Sequence, residues 1–466
     1  TGSTKLGNLY VGNTVMQTDL PANGWTKIFL PNSNGTQIGY VPTSCVSADS
    51  NTQTEQKADL AAPTFNSYFY NSDTTTATLM WNAVSGAEGY EASIQIDGKW
   101  IAYDAKTARS YKFTNLAQRT GFKTRVRAYK NVNGQKAYGS YSTTVTVVTD
   151  GYVKCVTATP IYANASTGST KLGNLYVGNT VMQTDLPANG WTKIFLPNSN
   201  GTQIGYVPTS CVKNYANSGL TVINQDGYLG GNPAVLGCEE TALASVLNYQ
   251  FGINVSKNTL IDYYMPEQAF YNGAVNVDPN YCFWGSPYHM EGSVGYGCYA
   301  PLVAQSAHQY LNYIGVRNSY NIALSTDYYT GNNVNKLKFD PGKLDLGNTA
   351  VSGGLDIDGL KAEIDKGNNP IVWYSEVEPY AVCTQTITAG QKYSNPGSGT
   401  YNFTWYGRQH TAVLTGYDDA NNCFILGNVE NFDSSSYYGK VQTMSYDFFM
   451  DTYTKLGRQS LIITKK

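Results

Sequence analysis

The chain has few charges and few histidines for its length. Only 14% of its 466 residues are charged, the net charge is −2, and three residues are histidine. A protein that follows a phosphate backbone needs a basic surface, so we expect no nucleic-acid partner. No apolar run approaches the roughly 18–20 residues that a membrane-spanning helix needs, so we also expect no membrane span.

The eight cysteines lack the spacing of a metal site. No C-x-x-C pair occurs, and Cys282, His289, Cys298 and His308 follow one another irregularly. Structural zinc sites use closely and regularly spaced ligand pairs, so we expect no metal here. Disulfides are the better interpretation if the protein is extracellular. Cys282 and Cys298 flank one long loop and are the expected pair.

A perfect repeat is the main feature of the N-terminal half. Residues 1–46 and 167–212 are identical, letter for letter. Such a repeat marks the duplication of one folding unit, so the chain is modular, and its length calls for three or four domains. The first copy starts at residue 1 without the segment that precedes the second, so we expect the first unit to be truncated. The chemistry is expected in the part that is not repeated.

The repeat predicts a small all-β barrel. Stretches of β-branched and aromatic residues (LYVGNTV, WTKIFL, IGYVPTSCV) alternate with Gly, Asn and Pro turns. Their order resembles bacterial SH3-like domains, truncated at 1–46 and complete at 152–212. Such domains recognise cell-wall peptides or polysaccharide, or act as spacers. In such barrels the first and last strands are neighbours, which implies a disulfide between Cys155 and Cys211. The aromatic residues either offer stacking faces or fill the small core: Tyr10, Trp25, Tyr40, Tyr176, Trp191 and Tyr206.

Residues 58–149 show regular strand and turn spacing after a polar linker at 47–57. The pattern resembles a fibronectin type III β-sandwich, with Phe122 where that family has its corner tyrosine. The resemblance implies a spacer or a docking surface and no chemistry. It places five residues in the core: Trp81, Tyr90, Leu116, Val126 and Ala128.

The remaining part, 220–466, predicts an α+β domain of enzyme size after a second polar linker, KNYANSG at 213–219. Helical periodicity occurs in CEETALASVLNYQF and IDGLKAEIDKG, and strand patterns occur in NPIVWYSEV, HTAVLTGYD and NCFILGN. In the first of these helices, Leu243, Val246 and Leu247 recur at i, i+3 and i+4. The helix is therefore predicted to be amphipathic, with these residues facing the core.

Cys238 stands at the predicted start of that helix. A thiol there feels the positive end of the helix, which lowers its pKa. Glu239 and Glu240 in the first turn oppose this effect, so a second activating group is needed, and a histidine is the usual one. His410 immediately precedes an apolar strand and is the candidate. The other two histidines lie in a Gly- and Tyr-rich loop and in a helical pattern: His289 and His308.

The order of these segments resembles papain-like hydrolases, and more narrowly the cysteine peptidases related to bacteriocin-leader (double-glycine) processing enzymes. The matching segments include VINQ, GCEETALASVLNY, GYGCYAPL and QHTAVLTGYDD. The resemblance implies that Cys238 is the nucleophile, His410 the general base, and Gln225 an oxyanion-hole donor. It places the residue that orients the histidine on the next strand, where ILGNVEN offers Asn428 first and Asn431 as the fallback. No Asp stands where the family's Asp-Pro pair usually falls.

These features predict a secreted modular cysteine peptidase that cleaves peptide amide bonds through a thioester and needs no metal or organic cofactor. The segments 284–299 and 375–408 are expected to border the substrate groove. We also expect Cys383 to pair with Cys423. If Cys282, Cys298, Cys383 and Cys423 are all paired, Cys238 remains the free thiol that a nucleophile must be. Two alternatives remain: a peptidoglycan endopeptidase, although that group usually has Asp-Cys-Ser where this chain has Gly-Cys-Glu, and an inactive surface-binding or scaffold protein.

Overall fold

The structure is a computed structural model. It describes residues 25–29, 38–42, 45, 56–65, 70–72, 74–96, 98–197, 203–229, 231–269, 276–289, 296–433 and 435–466. For 25–29, 38–40 and 70–72 only the backbone is described. The predictions for Tyr10 and for the side chains of Trp25 and Tyr40 therefore lie outside the described part of the chain.

The two repeat copies form the same hairpin where both are described. In the first copy, strands β1 (Trp25–Phe29) and β2 (Ile38–Pro42) pair antiparallel, with Trp25 opposite Pro42. In the second copy, Trp191–Phe195 pairs with Ile204–Pro208 in the same register, with Trp191 opposite Pro208. Identical sequence thus gives identical pairing.

The next nine strands form two sheets with a shared apolar core. One sheet has the order β4-β5-β8, and the other has β3-β10-β9-β6-β7 with β11 also paired to β9. All five residues predicted for the core are buried, and so is Phe122. The strands are β3 Gln56–Lys57, β4 Tyr70–Ser72, β5 Ala77–Met80, β6 Gly89–Ile96, β7 Lys99–Lys106, β8 Ser110–Phe113, β9 Gly121–Val132, β10 Gln135–Tyr138 and β11 Val145–Val148.

Residues 151–217 form a second β unit around an aliphatic core. The core side chains are Val153, Cys155, Ile161, Leu175, Val181, Ile194, Val207 and Val212. The aromatic residues of the repeat are not part of this core: Tyr176 is 61% exposed, and Trp191 and Tyr206 are half-buried. The strands are β12 Gly151–Cys155, β13 Thr159–Tyr162, β14 Lys171–Leu175, β15 Thr180–Gln183, β16 Trp191–Phe195, β17 Ile204–Pro208 and β18 Val212–Asn217.

The second predicted linker is wrong, because most of it is strand β18. This strand pairs with β12 on one side and with β26 (Gln409–Asp418) of the C-terminal part on the other. The approach is close at Gly416, where a Cβ would lie 2.1 Å from the carbonyl oxygen of Ala216. The polar side chains of KNYANSG do not prevent pairing, because a strand that joins two sheets is held by its backbone hydrogen bonds.

The C-terminal part is built on an antiparallel sheet with helices on both faces. Its strand order is β28-β27-β26-β23-β29-β21, extended by β22 parallel to β21. The helices are α1 Cys238–Ser245, α2 Lys257–Tyr264, α3 Ala300–Tyr313, α4 Asp327–Thr330, α5 Ile357–Asp365 and α6 Tyr446–Lys455. The strands are β19 Glu267–Gln268, β20 Phe283–Trp284, β21 Tyr320–Ser325, β22 Ala350–Ser352, β23 Ile371–Ser375, β24 Ala381–Thr388, β25 Thr400–Tyr406, β26 Gln409–Asp418, β27 Cys423–Asn428, β28 Lys440–Ser445 and β29 Ser460–Lys465.

Alternation along strand β23 shows how the two faces are filled. Ile371 and Trp373 belong to the core that contains α1 and α3, whereas Val372 and Tyr374 belong to the core that contains α5 and α6. Successive side chains of a strand point to opposite faces, so a sheet covered on both sides has apolar strands throughout. The predicted strands NPIVWYSEV, HTAVLTGYD and NCFILGN owe their continuous apolar character to this.

Helix α1 is not amphipathic, contrary to the prediction. All eight of its residues are buried, including both glutamates, because it packs against β26 on one side and against α2 and α3 on others. Leu243 faces the core as expected, but the side chains on all other faces of the helix are buried as well. A π-helical turn, Val246–Gln250, follows and ends the segment.

Arg119 joins all three parts. Its Nη1 donates to the carbonyl oxygens of Tyr152 and Tyr215 at 3.2 Å, and its Nη2 donates to Asp365 Oδ1 at 2.7 Å and to the Tyr417 hydroxyl. A guanidinium has five donors in a fixed fork, which suits a junction with several acceptors. The two-sheet unit, the second β unit and the C-terminal part therefore meet at one side chain.

All eight cysteines are free thiols, so the predicted disulfides are wrong. Cys155 does lie beside Cys211, since the N–H of the next residue, Val156, donates to the Cys211 carbonyl at 2.9 Å. The Cys155 sulfur instead contacts the carbonyl oxygen of Thr157 at 3.2 Å. Proximity of the strands was inferred correctly, but the two sulfurs are not bonded.

The other two pairings fail for different reasons. The Cys282 thiol donates to the carbonyl of Pro266 at 3.4 Å, and Cys298 is a separate buried thiol. Cys383 is in β24 and Cys423 is in β27, and these strands belong to different sheets.

Within the described residues, no helix has both the length and the apolar character to cross a membrane.

Candidate active site

Cys238 lines a cleft at the start of helix α1. The helix begins at a tight turn in which the Gly237 N–H donates to the Ala234 carbonyl at 2.8 Å. A Cβ at Gly237 would lie 3.0 Å from the Ile261 side chain, so a larger residue there would press on Ile261. The cleft has a volume of about 350 Å³. Both predicted border segments contribute to its lining, which includes Gln225, Cys238, Tyr296, Glu376, Trp405 and His410.

His410 and Asn428 are hydrogen-bonded across adjacent strands. His410 is the second residue of β26, Asn428 ends β27, and the pairing sets Asn428 opposite Ala412. The distance from His410 Nε2 to Asn428 Oδ1 is 2.7 Å. An amide oxygen only accepts, so the ring carries its proton on Nε2, and in the neutral ring Nδ1 is then an acceptor.

The Asn428 amide is held in this orientation by three further bonds. Its Nδ2 donates to Glu376 Oε1 at 2.7 Å and to Gln442 Oε1 at 2.8 Å. Its Oδ1 also accepts the backbone N–H of Glu430 at 2.9 Å. Because an ionised carboxylate cannot donate, Glu376 requires the amide nitrogen on its side and so leaves the oxygen for the histidine.

Glu376 is a residue that the sequence analysis missed. It lies 52 positions before Asn428, directly after strand β23, in the segment WYSEV. A charged residue at the end of an otherwise apolar strand was the available signal. The fallback, Asn431, does not contact His410: its Nδ2 donates to Ser436 Oγ at 3.0 Å and to the Tyr438 carbonyl at 2.8 Å.

Gln225 lies in the irregular segment between β18 and α1. Its N–H donates to the Val429 carbonyl at 2.8 Å, and its own carbonyl accepts from Ala234 at 2.9 Å. The side-chain Nε2 donates to the Val235 carbonyl at 2.9 Å, which uses one of its two hydrogens. Oε1 is buried and has no partner among the described residues.

Lys257 is a second missed residue, and it holds the Gln225 segment in place. It is 0% exposed, and its Nζ donates to the carbonyl oxygens of Asn224, Gln225 and Gly227 at 2.9, 3.0 and 2.6 Å. Burial lowers its pKa to about 8, and the nearby Asp226 opposes this. Three carbonyls around one ammonium use all of its donors, so the lysine is a structural cation for this turn.

The nucleophile candidate and its partner are both held neutral. Burial raises the pKa of Cys238 well above its ordinary value, and the adjacent Glu239 adds to this, while Thr411 opposes it. Burial also lowers the pKa of His410, against the effect of Asn428. The pKa of the thiol is therefore not lowered at the helix start, because desolvation and the buried Glu239 carboxyl both raise it, as expected of the opposing glutamates.

The comparisons with known proteins identify the family of the C-terminal part. The model of the Peptidase_C39 like family matches residues 220–461, just over half of the chain. The chain belongs to the Peptidase_C39 like family. The resemblance inferred for the C-terminal part is thereby confirmed at the level of the family, and residues 220–461 are a Peptidase_C39-like domain in a multidomain protein whose N-terminal region is mostly β.

One curated relative and several solved structures are similar to the chain. The "Uncharacterized protein YvpB" of Bacillus subtilis (strain 168) is 26% identical over 229 residues, which is 49% of this chain and 69% of that protein. A crystal structure of FN3tt is 20% identical, with a TM-score of 0.14, and covers 17% of this chain and 86% of its own. NlpC2 from Trichomonas vaginalis is 12% identical, with a TM-score of 0.15, and covers 80% of this chain and 92% of its own. Superpositions with such TM-scores establish neither fold nor function.

The other histidines of the Peptidase_C39-like domain lie away from the cleft lining. His308 accepts from Arg317 Nε at 2.7 Å and lies 3.4 Å from Asp345, while His289 is exposed. Within the described residues, no group of three His, Cys, Asp or Glu side chains could hold a metal ion. Of the three histidines, His410 is the one that lines the cleft with Cys238.

Carboxylates crowd one rim of the cleft in the Peptidase_C39-like domain. The pKa of Glu430 is raised to about 7, first by burial and then by Asp226 and Glu376, while Lys440 opposes this. The same Lys440 lowers the pKa of His410, and Glu376 raises it. The charge balance at the histidine is therefore set by Glu376 and Asp226, which raise its pKa, and by Lys440, which lowers it.

Proposed function

We propose that the protein is a secreted, modular cysteine peptidase that hydrolyses peptide amide bonds through a thioester on Cys238. The observation that carries the proposal is a single cleft lined by Cys238, His410 and Gln225, with Asn428 bonded to the histidine from behind. Nucleophile, base and orienting group are the three parts that acyl transfer through sulfur needs. Membership of a peptidase-like family supports the same reaction class.

The reaction begins with a proton transfer from the Cys238 thiol to Nδ1 of His410. The sulfur attacks the carbonyl carbon, and the oxygen takes up negative charge, which the Cys238 backbone N–H and the second Nε2 hydrogen of Gln225 stabilise. The imidazolium then gives its proton to the leaving amine, and the C–N bond breaks. Water hydrolyses the thioester with His410 as the base, which restores the thiol. No step needs a metal or an organic cofactor.

Asn428 and Glu376 have distinct roles in this proposal. Asn428 fixes the ring tautomer that leaves Nδ1 free to accept the thiol proton. It is a neutral acceptor and stabilises an imidazolium less than a carboxylate does. Glu376 bonds the far side of the amide, so its negative charge reaches the ring through Asn428 rather than by direct contact.

Hydrolysis of a casein-type protein and of purified peptidoglycan, measured in parallel, tests the proposal. Wild type is expected to cleave one of them, and Cys238→Ala is expected to abolish the cleavage. Cys282→Ala is the matched control, because Cys282 is a buried thiol of the same domain that does not line the cleft. Cleavage of peptidoglycan alone favours the endopeptidase alternative. No cleavage, with no His410-dependent alkylation of Cys238, favours an inactive binding domain.

A second function, attachment to a cell wall, is favoured by a pocket on the 151–217 unit. Its volume is about 280 Å³, and its lining includes Trp191, Tyr206, Asp185 and Lys193. An aromatic platform beside a carboxylate and an ammonium suits a sugar ring or a short peptide. The test is cosedimentation with purified cell walls: wild type should pellet, and the Trp191→Ala, Trp25→Ala double variant should remain soluble.

A further inference from the structure

Glu239 contacts the sulfur of Cys238 directly. Its Oε2 accepts the Cys238 S–H at 3.2 Å, and its Oε1 accepts the backbone N–H of Cys298 at 2.9 Å. The side chain is 1% exposed. A Cβ at Gly297 would lie 2.3 Å from Oε1, so the glycine leaves the space that the carboxyl occupies. The carboxyl is thus fixed at one oxygen and holds the thiol with the other.

Glu240 is a natural comparison within the same helical turn. It is also fully buried, but its Oε1 accepts from Ser306 Oγ at 3.0 Å, and it makes no hydrogen bond to Cys238 among the described residues. The two glutamates are therefore both buried carboxyl side chains in the first turn of α1. They differ in whether the carboxyl reaches the sulfur.

We propose that Glu239 sets the protonation state of Cys238: ionised, it accepts the S–H and suppresses the thiolate, and protonated, it donates to the sulfur and stabilises the thiolate. This inference rests on the proposed function, in which the Cys238 thiolate is the nucleophile. The two states follow from the chemistry of a carboxyl, which only accepts when ionised and donates one O–H when protonated. The Cys298 N–H keeps one oxygen in place in both states.

The surroundings of Glu239 make both states accessible near neutral pH. Burial raises its pKa to about 7, and the bond from Cys298 opposes this. Its ionised form in turn raises the pKa of the Cys238 thiol. The titratable groups around the pair are Glu240 on the same helix, Cys298 with Cys282 beyond it, Tyr374 near the sulfur, and His410 in the cleft lining.

Glu239→Gln tests the proposal with little change in shape. The amide oxygen keeps the bond from Cys298, and the amide nitrogen replaces the acceptor at the sulfur with a permanent donor. We expect the pH midpoint for alkylation of Cys238 by iodoacetamide, followed by mass mapping, to fall by at least about one unit, which is tenfold in rate below the midpoint. Glu240→Gln is the matched control and should leave the midpoint at the wild-type value.

The outcomes separate this inference from the proposed function. If Glu239→Gln and Glu240→Gln share the wild-type midpoint, the role of Glu239 is refuted, even when peptide hydrolysis and His410-dependent alkylation persist. If His410→Ala leaves alkylation of Cys238 unchanged, the proposed function itself fails. Should the Glu239→Gln variant not fold, infrared spectroscopy of the wild type decides. The S–H band, assigned by difference from Cys238→Ser, should shift between pH 6 and pH 8, and a constant band overturns the proposal.

Discussion

Replacing Asn428 by Asp tests whether the surroundings of His410 require an amide at this position. Asp would suit His410, since a carboxylate stabilises imidazolium better than an amide does. However, Asn428 Nδ2 donates to Glu376 at 2.7 Å and to Gln442 at 2.8 Å. In Asn428→Asp both donors are lost, and a carboxylate oxygen faces the Glu376 carboxylate.

The size of the stability loss follows from the least costly way to relieve the repulsion between the two carboxylates, which is to protonate one of them. An ordinary Asp titrates about three units below pH 7, so protonation there costs about 4 kcal/mol. Glu376 is half-buried, and water screens part of the repulsion, so we expect a loss of about 2–4 kcal/mol at pH 7. The protonation cost falls by about 1.4 kcal/mol for each unit of decrease in pH. The loss is therefore expected to be largely recovered near pH 4–5.

Urea unfolding at pH 7 and pH 5 measures the loss, and the double variant Asn428→Asp, Glu376→Gln provides the decisive comparison. The glutamine introduced at position 376 offers an amide N–H to the new carboxylate, so the double variant is expected to recover most of the stability. Asn431→Asp is the matched control, because Asn431 donates to a hydroxyl and a carbonyl rather than to a carboxylate. Equal destabilisation of the single and double variants, or no pH dependence, would refute the proposed arrangement of Asn428 and Glu376.

Three further predictions concern other parts of the structure. Lys257→Met should lower kcat for amide hydrolysis but leave iodoacetamide alkylation of Cys238 nearly unchanged, because alkylation needs no oxyanion hole. It should also cost at least about 3 kcal/mol in urea unfolding, since three carbonyls lose their donor. His410 has a lowered pKa, so the unfolded chain binds more protons there. Stability should fall as pH drops below about 6.5, and His410→Gln should flatten that slope; an unchanged slope contradicts it. Arg119→Met should split thermal unfolding into separate calorimetric transitions, whereas retention of the wild-type profile would contradict its junction role.

The site residues predicted from sequence were those in recognisable local segments. The family resemblance pointed to Cys238 at a helix start, His410 near the start of a strand, and Asn428 on the next strand. Lys257 and Glu376 could not be found this way, because their partners lie 32 and 52 positions away and only the fold brings them together. Neither residue stands in a motif with a chemical signature of its own.

The errors have related physical causes. Periodicity correctly placed Leu243 in a core, but it could not reveal that α2 and α3 cover the opposite side of α1 and bury Glu239 and Glu240. KNYANSG reads as a linker because its side chains are polar, whereas its strand is held by backbone bonds to neighbours on both sides. Cysteine spacing suggested neighbours, but sulfur geometry decides whether a disulfide can form.

The strand shared between β12 and β26 has a consequence for any attempt to dissect this protein. A fragment that begins at residue 220 would match the family limits, yet it would strip the backbone partners from Gly416, Tyr417 and Asp418. Unpaired backbone N–H and C=O groups on this exposed strand edge can pair with a second molecule, so the isolated fragment should dimerise or precipitate. Expression of the Peptidase_C39-like domain should therefore retain residues 151–219 with it, because β18 pairs with β12 as well as with β26.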